Sequence, residues 1–550
     1  MKKKLLAILL VTVMVFAIVA CGNGGSDQQQ SAAPTGSAPA APSPTPSSAA
    51  SPAPTDQAPV DAIPLPEEAR VMDAITILGE SPLVGLNTQS PITTGPVYRA
   101  VYSCIFDTLI MYSAVENEYY HELAKEWDIS EDWKTLTFYL RDDAYFSNGD
   151  KFTAQSVIDT YELASQALGA EALETWRTVE TVTAINDYTV EIVQRETNVD
   201  ILYRLSLPWS SIVNKRAIEA DATEGYWVGT GAYTVTELVP GDFVTIERRD
   251  DYWGGIMPTR QMTYKWIPEV GARTIMLQNR EAEISLSSAP QDIPIMKQDP
   301  SLTVVEFYAN TVYTMGFNMD HPVLSDKNFR LAVAHALSMP EIARVANGDW
   351  ATPARDGATW GYDTEFRNPN LPAIQFNLDL AREYLEASNY RGEVIEICSG
   401  DANANRALEI IQEQLNQIGI NTTLYPADMA TISAYAIYGN NQAEMVHYIC
   451  TFGNDARSAR NSFYPFGMSN RASYNNPAVN TLLELAPTIS DAAAREQIYW
   501  QVQELVAEDM PYFPMYDVIR TRISQKGVGG IVNDPDMNHC FKGVFIALDD

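Results

Sequence analysis

The sequence predicts an α/β protein that is divided into two or three lobes. Hydrophobic patterns with a period of two residues, typical of strands, alternate along the chain with patterns of helical period. One strand–helix–strand unit is complete between residues 394 and 425, as expected for an α/β fold. Residues 66–550 are too many for one core, since cores stop growing beyond about 250–300 residues. With 46% hydrophobic and 10% aromatic residues in the chain, this body is globular.

The N-terminus predicts export and lipid attachment. Three lysines, Lys2 to Lys4, precede an apolar run over residues 5–20 that is shorter than the roughly 20 residues of a membrane-spanning helix. Ala20 and Cys21 resemble the end of a bacterial lipobox, in which the cysteine thiol receives diacylglycerol before cleavage. We therefore expect a signal peptide over residues 1–20 and a lipid on Cys21. Two acyl chains, at about 0.8 kcal/mol per buried CH₂, would hold the protein stably on the outer face of the cell membrane.

Residues 21–65 predict a stalk between this anchor and the folded body. Residues 22–64 contain no Lys, Arg or aromatic residue and are rich in Ser, Ala and Pro. Such a segment cannot bury enough apolar surface to offset its ordering entropy. Its Pro-rich part, residues 34–59, should be extended and semi-stiff.

The charge balance excludes several classes of partner. The chain has 37 basic and 70 acidic residues, for a formal net charge of −33. Nucleic acids and anionic lipid surfaces require basic patches, so neither is an expected partner. Direct metal ligation is not suggested either, and no cofactor is implied, because the five histidines are scattered along the chain: His121, His321, His335, His447 and His539.

Beyond Cys21 there are four cysteines: Cys104, Cys398, Cys450 and Cys540. Export permits disulfides, and four cysteines allow three pairings, which the sequence leaves open. None shows CxxC spacing, so zinc is not expected. Cys398 and Cys450 each end an apolar run, and for these two we expect buried free thiols.

The first half of the body is rich in strand signals. Thr135–Leu140 alternates with Leu136, Phe138 and Leu140 on one face, which predicts a half-buried strand. A helix is expected to begin at Thr153. Turn signals between apolar runs predict two hairpins, one from 179–185 and 188–193 and the other from 231–238 and 243–248.

The later half predicts α/β units. A buried strand over 394–398 is followed by an amphipathic helix over 405–418, which Gly419 ends, and by a parallel strand over 420–425. Ser338 and Glu341 match a capping box, so a helix should begin there. Ser490 is expected to cap the last long helix.

Several short segments carry a more specific signal through their order and spacing. They are 103–109 (SCIFDTL), 121–127 (HELAKEW), 140–157, 228–233 (VGTGAY), 249–255 (RDDYWGG), 316–337, 473–477 (SYNNP) and 508–511 (EDMP). In this order they resemble the extracellular solute-binding proteins of the peptide and nickel ABC importers, family 5. Within them we expect Gly149, Gly229 and Gly231 to serve tight turns, and Tyr252 and Trp253 to pack.

The resemblance implies a two-lobed, periplasmic-binding-protein-like flytrap in which two crossing segments join the lobes. Lobe I would comprise residues 66–316 and 515–550, with residues 99–225 as an extra subdomain, and lobe II would comprise residues 317–514. Asn318 and Asp517 would lie near the crossings. The implied function is the capture of short peptides by a monomer, which delivers them to the permease and ATPase subunits of an ABC importer.

The resemblance also identifies a segment for the ligand's amino group. Family members that bind peptides hold that group with an aspartate in a segment of form W-x-x-D-x-x-(D/E)-P. One alignment with the matching stretch, residues 449–456, places Phe452 at the aspartate position, so that the clamp is missing. A shift of three residues places Asp455 there, with Arg457 close by, and the sequence leaves both alignments open.

Further ligand-binding candidates are aromatic or lie in loops. Tyr313, Trp360 and Tyr362 are aromatic candidates for the cleft, although aromatic residues at such positions more often belong to a core. Thr93 and Thr94 occupy the region where the family presents main chain to its ligand.

Three alternatives to peptide import remain open. The same fold could bind a nickel chelate, an oligosaccharide or an opine-like solute. A lipid-anchored receptor could report a peptide without importing it. A secreted hydrolase is the third, but the chain has no GxSxG elbow or HExxH motif, and the pairs Asp142-Asp143 and Asp250-Asp251 are expected to be solvated, so we expect no enzyme.

Overall fold

The structure, a computed structural model, describes residues 72–90, 96–113, 116, 118–167, 175–361, 364–400, 405–427, 429–451, 459–467, 469–532 and 541–547. The signal peptide, Cys21 and the stalk lie outside the described residues, so these expectations stay predictions. Within the described part of the chain, no helix combines the length and the hydrophobicity that crossing a bilayer requires.

Strands and helices alternate along the chain, as the hydrophobic periodicity predicts. The strands are β1 (Ala74–Gly79), β2 (Ile110–Ser113), β3 (Glu118–His121), β4 (Ala124–Ile129), β5 (Thr135–Leu140), β6 (Val179–Asn186), β7 (Thr189–Gln194), β8 (Tyr233–Val239), β9 (Phe243–Arg248), β10 (Gln261–Trp266), β11 (Ile284–Ser285), β12 (Leu302–Phe317), β13 (Ala351–Pro353), β14 (Val394–Ser399), β15 (Asn421–Pro426), β16 (Met445–Thr451), β17 (Tyr512–Gln525), β18 (Val528–Gly529) and β19 (Phe545–Ile546). The helices are α1 (Pro96–Ile105), α2 (Ala154–Ser165), α3 (Ile201–Leu205), α4 (Lys215–Ala220), α5 (Val270–Gln278), α6 (Ile293–Met296), α7 (Lys327–Ala336), α8 (Met339–Asn347), α9 (Leu378–Ala387), α10 (Asn405–Gln417), α11 (Met429–Tyr435), α12 (Ala459–Phe463), α13 (Pro477–Leu485) and α14 (Ala492–Asp509).

Most of these strands form one open, mixed sheet. Its order is β15-β14-β16-β12-β17-β11-β1-β10-β9-β8, and β13 pairs with β17 beside this path. The β14 strand is parallel to both β15 and β16, and β1 is parallel to β10 and β11. A separate sheet has the order β4-β5-β7-β6.

The two longest strands join the two halves of the main sheet. The β12 strand, with 16 residues, is antiparallel to β17, with 14 residues, and the two pair along most of their lengths. One end of β12 also pairs with β16. At the opposite end of the ribbon that β12 and β17 form, β17 pairs with β11. The sheet therefore passes from one half of the molecule to the other through β12 and β17.

Separate hydrophobic clusters form the cores of the different parts of the molecule. One cluster, around Ile77, packs β1, β9 and β10 against α1, and another, around Phe138, lies on the separate four-stranded sheet. A third, around Ile397, packs β14 and β16 against α7, α8 and α10. The predicted boundaries of the lobes and the subdomain stay predictions.

Most sequence-predicted elements are confirmed. Leu136, Phe138 and Leu140 of β5 are buried, both predicted hairpins form, and β14, α10 and β15 build the strand–helix–strand unit. The helix predicted at Thr153 begins there as α2. Cys398 is a buried free thiol, whereas Cys540 and the side chain of Cys450 lie outside the described atoms.

Two predicted helix caps are wrong. The α8 helix begins directly after Ser338, as predicted, but the Ser338 side chain makes no cap hydrogen bond. The Gln414 side chain instead accepts from the Ser338 backbone N–H at 2.8 Å and donates to Glu341 Oε2 at 2.9 Å. At α14 the cap is Asp491, one residue after the predicted Ser490, and its carboxylate accepts from the Ala494 N–H at 2.7 Å.

Three of the sequence motifs converge on one buried cation. Lys542 Nζ lies 2.8 Å from Asp107 Oδ1, in the motif at 103–109, and 3.1 Å from Glu122 Oε1, in the motif at 121–127. Asp107 also accepts hydrogen bonds from Tyr252 and Trp253, which belong to the motif at 249–255. These residues fix the fold around Lys542, and Tyr252 and Trp253 pack there as expected.

Candidate functional site

Three parallel strands of the main sheet end at one edge. Because β14 is parallel to both β15 and β16, their last residues Ser399, Pro426 and Thr451 lie toward the same edge. In open α/β sheets ligands bind outside the carboxyl ends of the strands. After Thr451 the chain continues into residues 452–458, the predicted clamp segment, which lies outside the described residues together with its candidates Phe452, Asp455 and Arg457.

This carboxyl edge meets the two long strands where they pass between the halves of the sheet. Thr451 lies opposite Thr311 of β12, and the register of β12 against β17 shifts between Tyr308 and Val312. The β17 strand is buried over residues 512–516 and 521–524 but only half-buried over residues 517–520. We call residues 517–520 the crossing stretch.

Tyr313 belongs to an aromatic stack beside the crossing stretch. Its ring lies 4.7 Å from that of Tyr516 and 5.4 Å from that of His447, and both pairs are stacked. Tyr516 Oη and His447 Nε2 are 3.1 Å apart. Tyr313 is 6% exposed and Tyr516 is fully buried, so the stack binds β12, β16 and β17 to one another. His447, which sequence reasoning set aside among scattered histidines, is thus part of the site's support.

Trp360 is packed in a different cluster. It is 1% exposed, and its ring stacks on Phe463 of α12 at 5.4 Å. Arg367 braces the same loop by donating to the Trp360 carbonyl at 3.2 Å and to both carboxylate oxygens of Asp356 at 2.7 Å. The loop that leads to residues 362–363 is therefore held rigidly.

The structure describes only part of the predicted set of ligand-binding residues. Tyr313 and Trp360 are described, but they lie in separate hydrophobic clusters. Tyr362, Thr93 and Thr94 lie outside the described residues. A role in ligand binding stays a prediction for all of these residues.

Next to residues 91–95, which contain Thr93 and Thr94, two buried polar atoms lack a protein partner. Within the described part of the chain, neither Thr88 Oγ1 nor Gln89 Nε2 has a hydrogen-bond partner, although the residues are only 3% and 7% exposed. Buried polar groups of this kind are normally satisfied by water or by a ligand. Sequence reasoning missed both residues, since Thr and Gln in a loop carry no pattern of their own.

Cys398 lies near the carboxyl end of β14. Burial first, and then the nearby Glu396, raise the pKa of the Cys398 thiol at the carboxyl end of β14 to about 12, which keeps it protonated and unreactive. Among the described residues, no group of three or more His, Cys, Asp or Glu side chains is placed to hold a metal ion.

Comparison with known proteins places this architecture in a family. Residues 118–474 match the family described as "Bacterial extracellular solute-binding proteins, family 5 Middle". The chain is also 21% identical over 523 residues to the probable ABC transporter periplasmic-binding protein SapA of Escherichia coli strain K12. That match covers 87% of this chain and 94% of SapA.

Two solved structures share the fold. The first is the periplasmic binding protein DppA of Helicobacter pylori in complex with the peptide STSA, with a TM-score of 0.78 and 19% identity over 87% of this chain and 99% of that one. The second is NikZ of Campylobacter jejuni in complex with Ni(L-His), with a TM-score of 0.74 and 18% identity over 84% of this chain and 95% of that one. The predicted α/β, periplasmic-binding-protein-like fold is therefore confirmed. Since the family match spans more than half of the chain, the protein belongs to the bacterial extracellular solute-binding proteins of family 5.

Proposed function

We propose that this protein is the membrane-anchored binding subunit of an ABC importer, which captures short peptides between two closing lobes and delivers them to the permease. The observation that carries the proposal is the β12–β17 ribbon, through which the main sheet passes between two separately packed halves. A narrow ribbon between two rigid bodies bends more easily than either body deforms, which is the requirement for hinge closure around a ligand.

A peptide ligand suits the edge that faces this ribbon. Every peptide offers the same backbone N–H and C=O groups, so main-chain groups at strand ends can hold many sequences, while water fills unused side-chain space. The peptide STSA bound to the Helicobacter pylori protein supports the same class of ligand.

A nickel chelate is the second candidate, and the similarity to NikZ favours it. A chelate brings its own metal ligands, so the protein would need no cluster of metal-binding side chains. The two candidates differ in whether binding depends on nickel.

Native mass spectrometry of the freshly purified protein tests both candidates. We expect a co-purified mass in the range of short peptides, and calorimetric binding of tetrapeptides with free termini in the presence of EDTA. Binding that requires nickel and histidine, with no binding of peptides, would replace the peptide proposal by the chelate.

Asp455 provides a test of the amino-group clamp. If Asp455 pairs with the ligand's ammonium group, Asp455→Asn should weaken binding of free-amine peptides about 10- to 100-fold, because a charge-assisted hydrogen bond contributes about 1.5–3 kcal/mol. N-acetylated peptides should be unaffected, since they lack this charge. Equal affinities of wild type and variant for both ligand classes would assign Asp455 to an exposed loop and leave Phe452 at the clamp position.

Anchoring and import are tested in cells. Cys21→Ser should move the protein from the membrane to the soluble fraction, and wild type should carry the mass of a lipid. Cells without the gene should lose uptake of labelled peptides that the purified protein binds. Undiminished uptake in those cells would favour a receptor that reports the peptide without importing it.

A further inference from the structure

The two halves of the molecule also meet at a point away from the ribbon. The Val199 N–H donates a hydrogen bond to the Pro487 carbonyl oxygen at 2.8 Å. Val199 lies in the short loop between β7 and α3, and Pro487 lies in a single 3₁₀ turn that follows α13. Val199 is only 6% exposed, so this contact is shielded from water.

The loop before α3 is fixed to the first half of the molecule. Gln194, at the end of β7, donates from Nε2 to the Asn198 carbonyl oxygen at 3.0 Å. The α3 helix that follows the loop packs in the cluster around Phe138. Trp253 packs against both that cluster and the cluster around Ile77. The loop therefore moves with the half that contains β1, β9 and β10.

The turn after α13 is fixed to the second half. Ala486, in this turn, is fully buried in the cluster around Trp360. Tyr512 of β17 belongs to the same cluster, and the next residue, Phe513, belongs to the cluster around Ile397. The turn therefore moves with the half that contains β14 and β16.

A hydrogen bond between two such bodies depends on their relative orientation. Hydrogen bonds between N–H and C=O groups weaken once the two heavy atoms are more than about 3.2 Å apart. Both partners are held by packed cores, so neither the loop nor the turn follows the other when the ribbon bends. The hydrogen bond therefore belongs to the arrangement in which the two halves are together, and it breaks when they swing apart.

We propose that the hydrogen bond from Val199 to Pro487 is a latch, which holds the two halves closed around a bound ligand. This assignment rests on the proposed function, because it presupposes hinge closure at the β12–β17 ribbon. The latch consists of protein main chain alone, so it stabilises the closed state equally for ligands of any sequence. It slows the release of every ligand by the same factor, which suits a protein of broad specificity.

The first test removes the donor. Val199→Pro has no N–H, whereas Val199→Ala keeps it and is the reference for the lost side-chain packing. The probes are tetra-alanine and the peptide STSA, both with free termini. Relative to Val199→Ala, Val199→Pro should bind both peptides about 2- to 10-fold more weakly, by the same factor for each and through faster dissociation.

The second test fixes the latch covalently. Residues that are joined by a backbone hydrogen bond have Cα atoms about 5.5 Å apart, which is within the range of a disulfide. In the double variant Val199→Cys/Pro487→Cys, oxidation should form a disulfide between these positions, identified by mass spectrometry of the digested protein. Without peptide, the oxidised form should have a smaller radius of gyration than the reduced form, and STSA bound before oxidation should survive dialysis. The control pair, Glu196→Cys/Pro487→Cys, uses an exposed residue of the same loop and should cross-link more slowly.

The outcomes separate the latch from the proposed function. Equal dissociation rates for Val199→Pro and Val199→Ala, at equal melting temperatures, would overturn the latch and leave peptide binding in place. The latch is also overturned if the folded cysteine pair forms no disulfide, or if the disulfide leaves the radius of gyration of the peptide-free protein unchanged. If Val199→Pro does not fold, the cysteine pair decides. If wild type binds neither peptide, peptide binding is overturned, and the comparison of oxidised and reduced protein without peptide still decides on the latch.

Discussion

Lys542 lies between two carboxylates at a site where all three side chains are almost completely buried. Burial alone would raise the pKa of Asp107, but the Lys542 ammonium and the hydrogen bonds from Lys542, Trp253 and Tyr252 together lower it below the ordinary value. Because the folded pKa is lower than the unfolded one, Asp107 contributes stability above the unfolded value of about 3.9. That contribution is lost as the pH falls through the folded pKa.

Removal of this cation should be among the most damaging single changes in the chain. Lys542→Met would leave Asp107 and Glu122 buried without their counter-charge, which typically costs about 3–5 kcal/mol in free energy of unfolding. Urea denaturation at pH 7 measures this loss. The difference from wild type should shrink at pH 4, where burial without the ammonium group favours protonated carboxylates.

Lys125 provides the control for this prediction. It pairs with Asp142 at 3.1 Å on the surface, where both side chains are more than half exposed. Lys125→Met should leave the unfolding midpoint nearly unchanged, because solvent screens such a pair. Equal midpoints for Lys542→Met and wild type would contradict a role for the buried lysine.

Two glycines show why a motif can be recognised from sequence while its physical reason is missed. Gly149 has φ of +86° and serves a tight turn, as expected. Gly229 and Gly231 do not adopt positive φ, and the prediction of tight turns is wrong for them. A Cβ atom at Gly229 would lie 2.1 Å from the Ile105 carbonyl oxygen, and one at Gly231 would lie 2.5 Å from the Ile105 carbonyl carbon. Both positions therefore require glycine because the backbone of Ile105 passes so close to them. This approach joins segments that are far apart in sequence, which local pattern cannot reveal.

At the scale of elements, the N-terminus of α14 allows a sharp test. Asp491→Ala should lower the free energy of unfolding by about 1 kcal/mol, because the Ala494 N–H loses its acceptor. Ser490→Ala, one residue earlier, should have almost no effect. The two variants can be compared by thermal denaturation, and a larger loss for Ser490→Ala would return the cap to the residue that the sequence predicted.

Elements are predictable from this sequence where their signal is local. Alternation in β5 and the helical face of α10 depend on neighbouring residues, and both were predicted correctly. The pairing of β12 with β17 is not local, because it joins residues about 200 positions apart, as in Leu302 opposite Gln525. The prediction that two segments cross between the lobes came from the family resemblance. The half-buried crossing stretch became visible only when the strands were paired.

The whole molecule is expected to close around its ligand. A cleft between two hinged bodies binds tightly only when both contact the ligand, so a saturating peptide should shift the population to the closed state. Small-angle X-ray scattering of the protein with and without a tetrapeptide with free termini should show a smaller radius of gyration when the peptide is bound. An unchanged radius, with binding confirmed by calorimetry, would argue against the closing mechanism.

At this scale the site was only partly predictable. The fold class followed from the order of the motifs, and the position of the clamp segment stays a prediction. Which residue of 452–458 stands at the clamp position stays a prediction, because this segment lies outside the described residues. Tyr313 and Trp360 were reasonable candidates by residue type, but their burial in separate clusters is decided by tertiary packing.

The position of Lys542 also has a consequence for the order of folding. It lies 435 residues after Asp107 and 420 residues after Glu122 along the chain, near the C-terminus. A growing chain therefore holds two carboxylates that cannot be buried favourably until Lys542 has been synthesised. The hydrophobic cluster around Ile77, which includes Phe541 and Val544, can therefore complete its packing only after this segment has been synthesised.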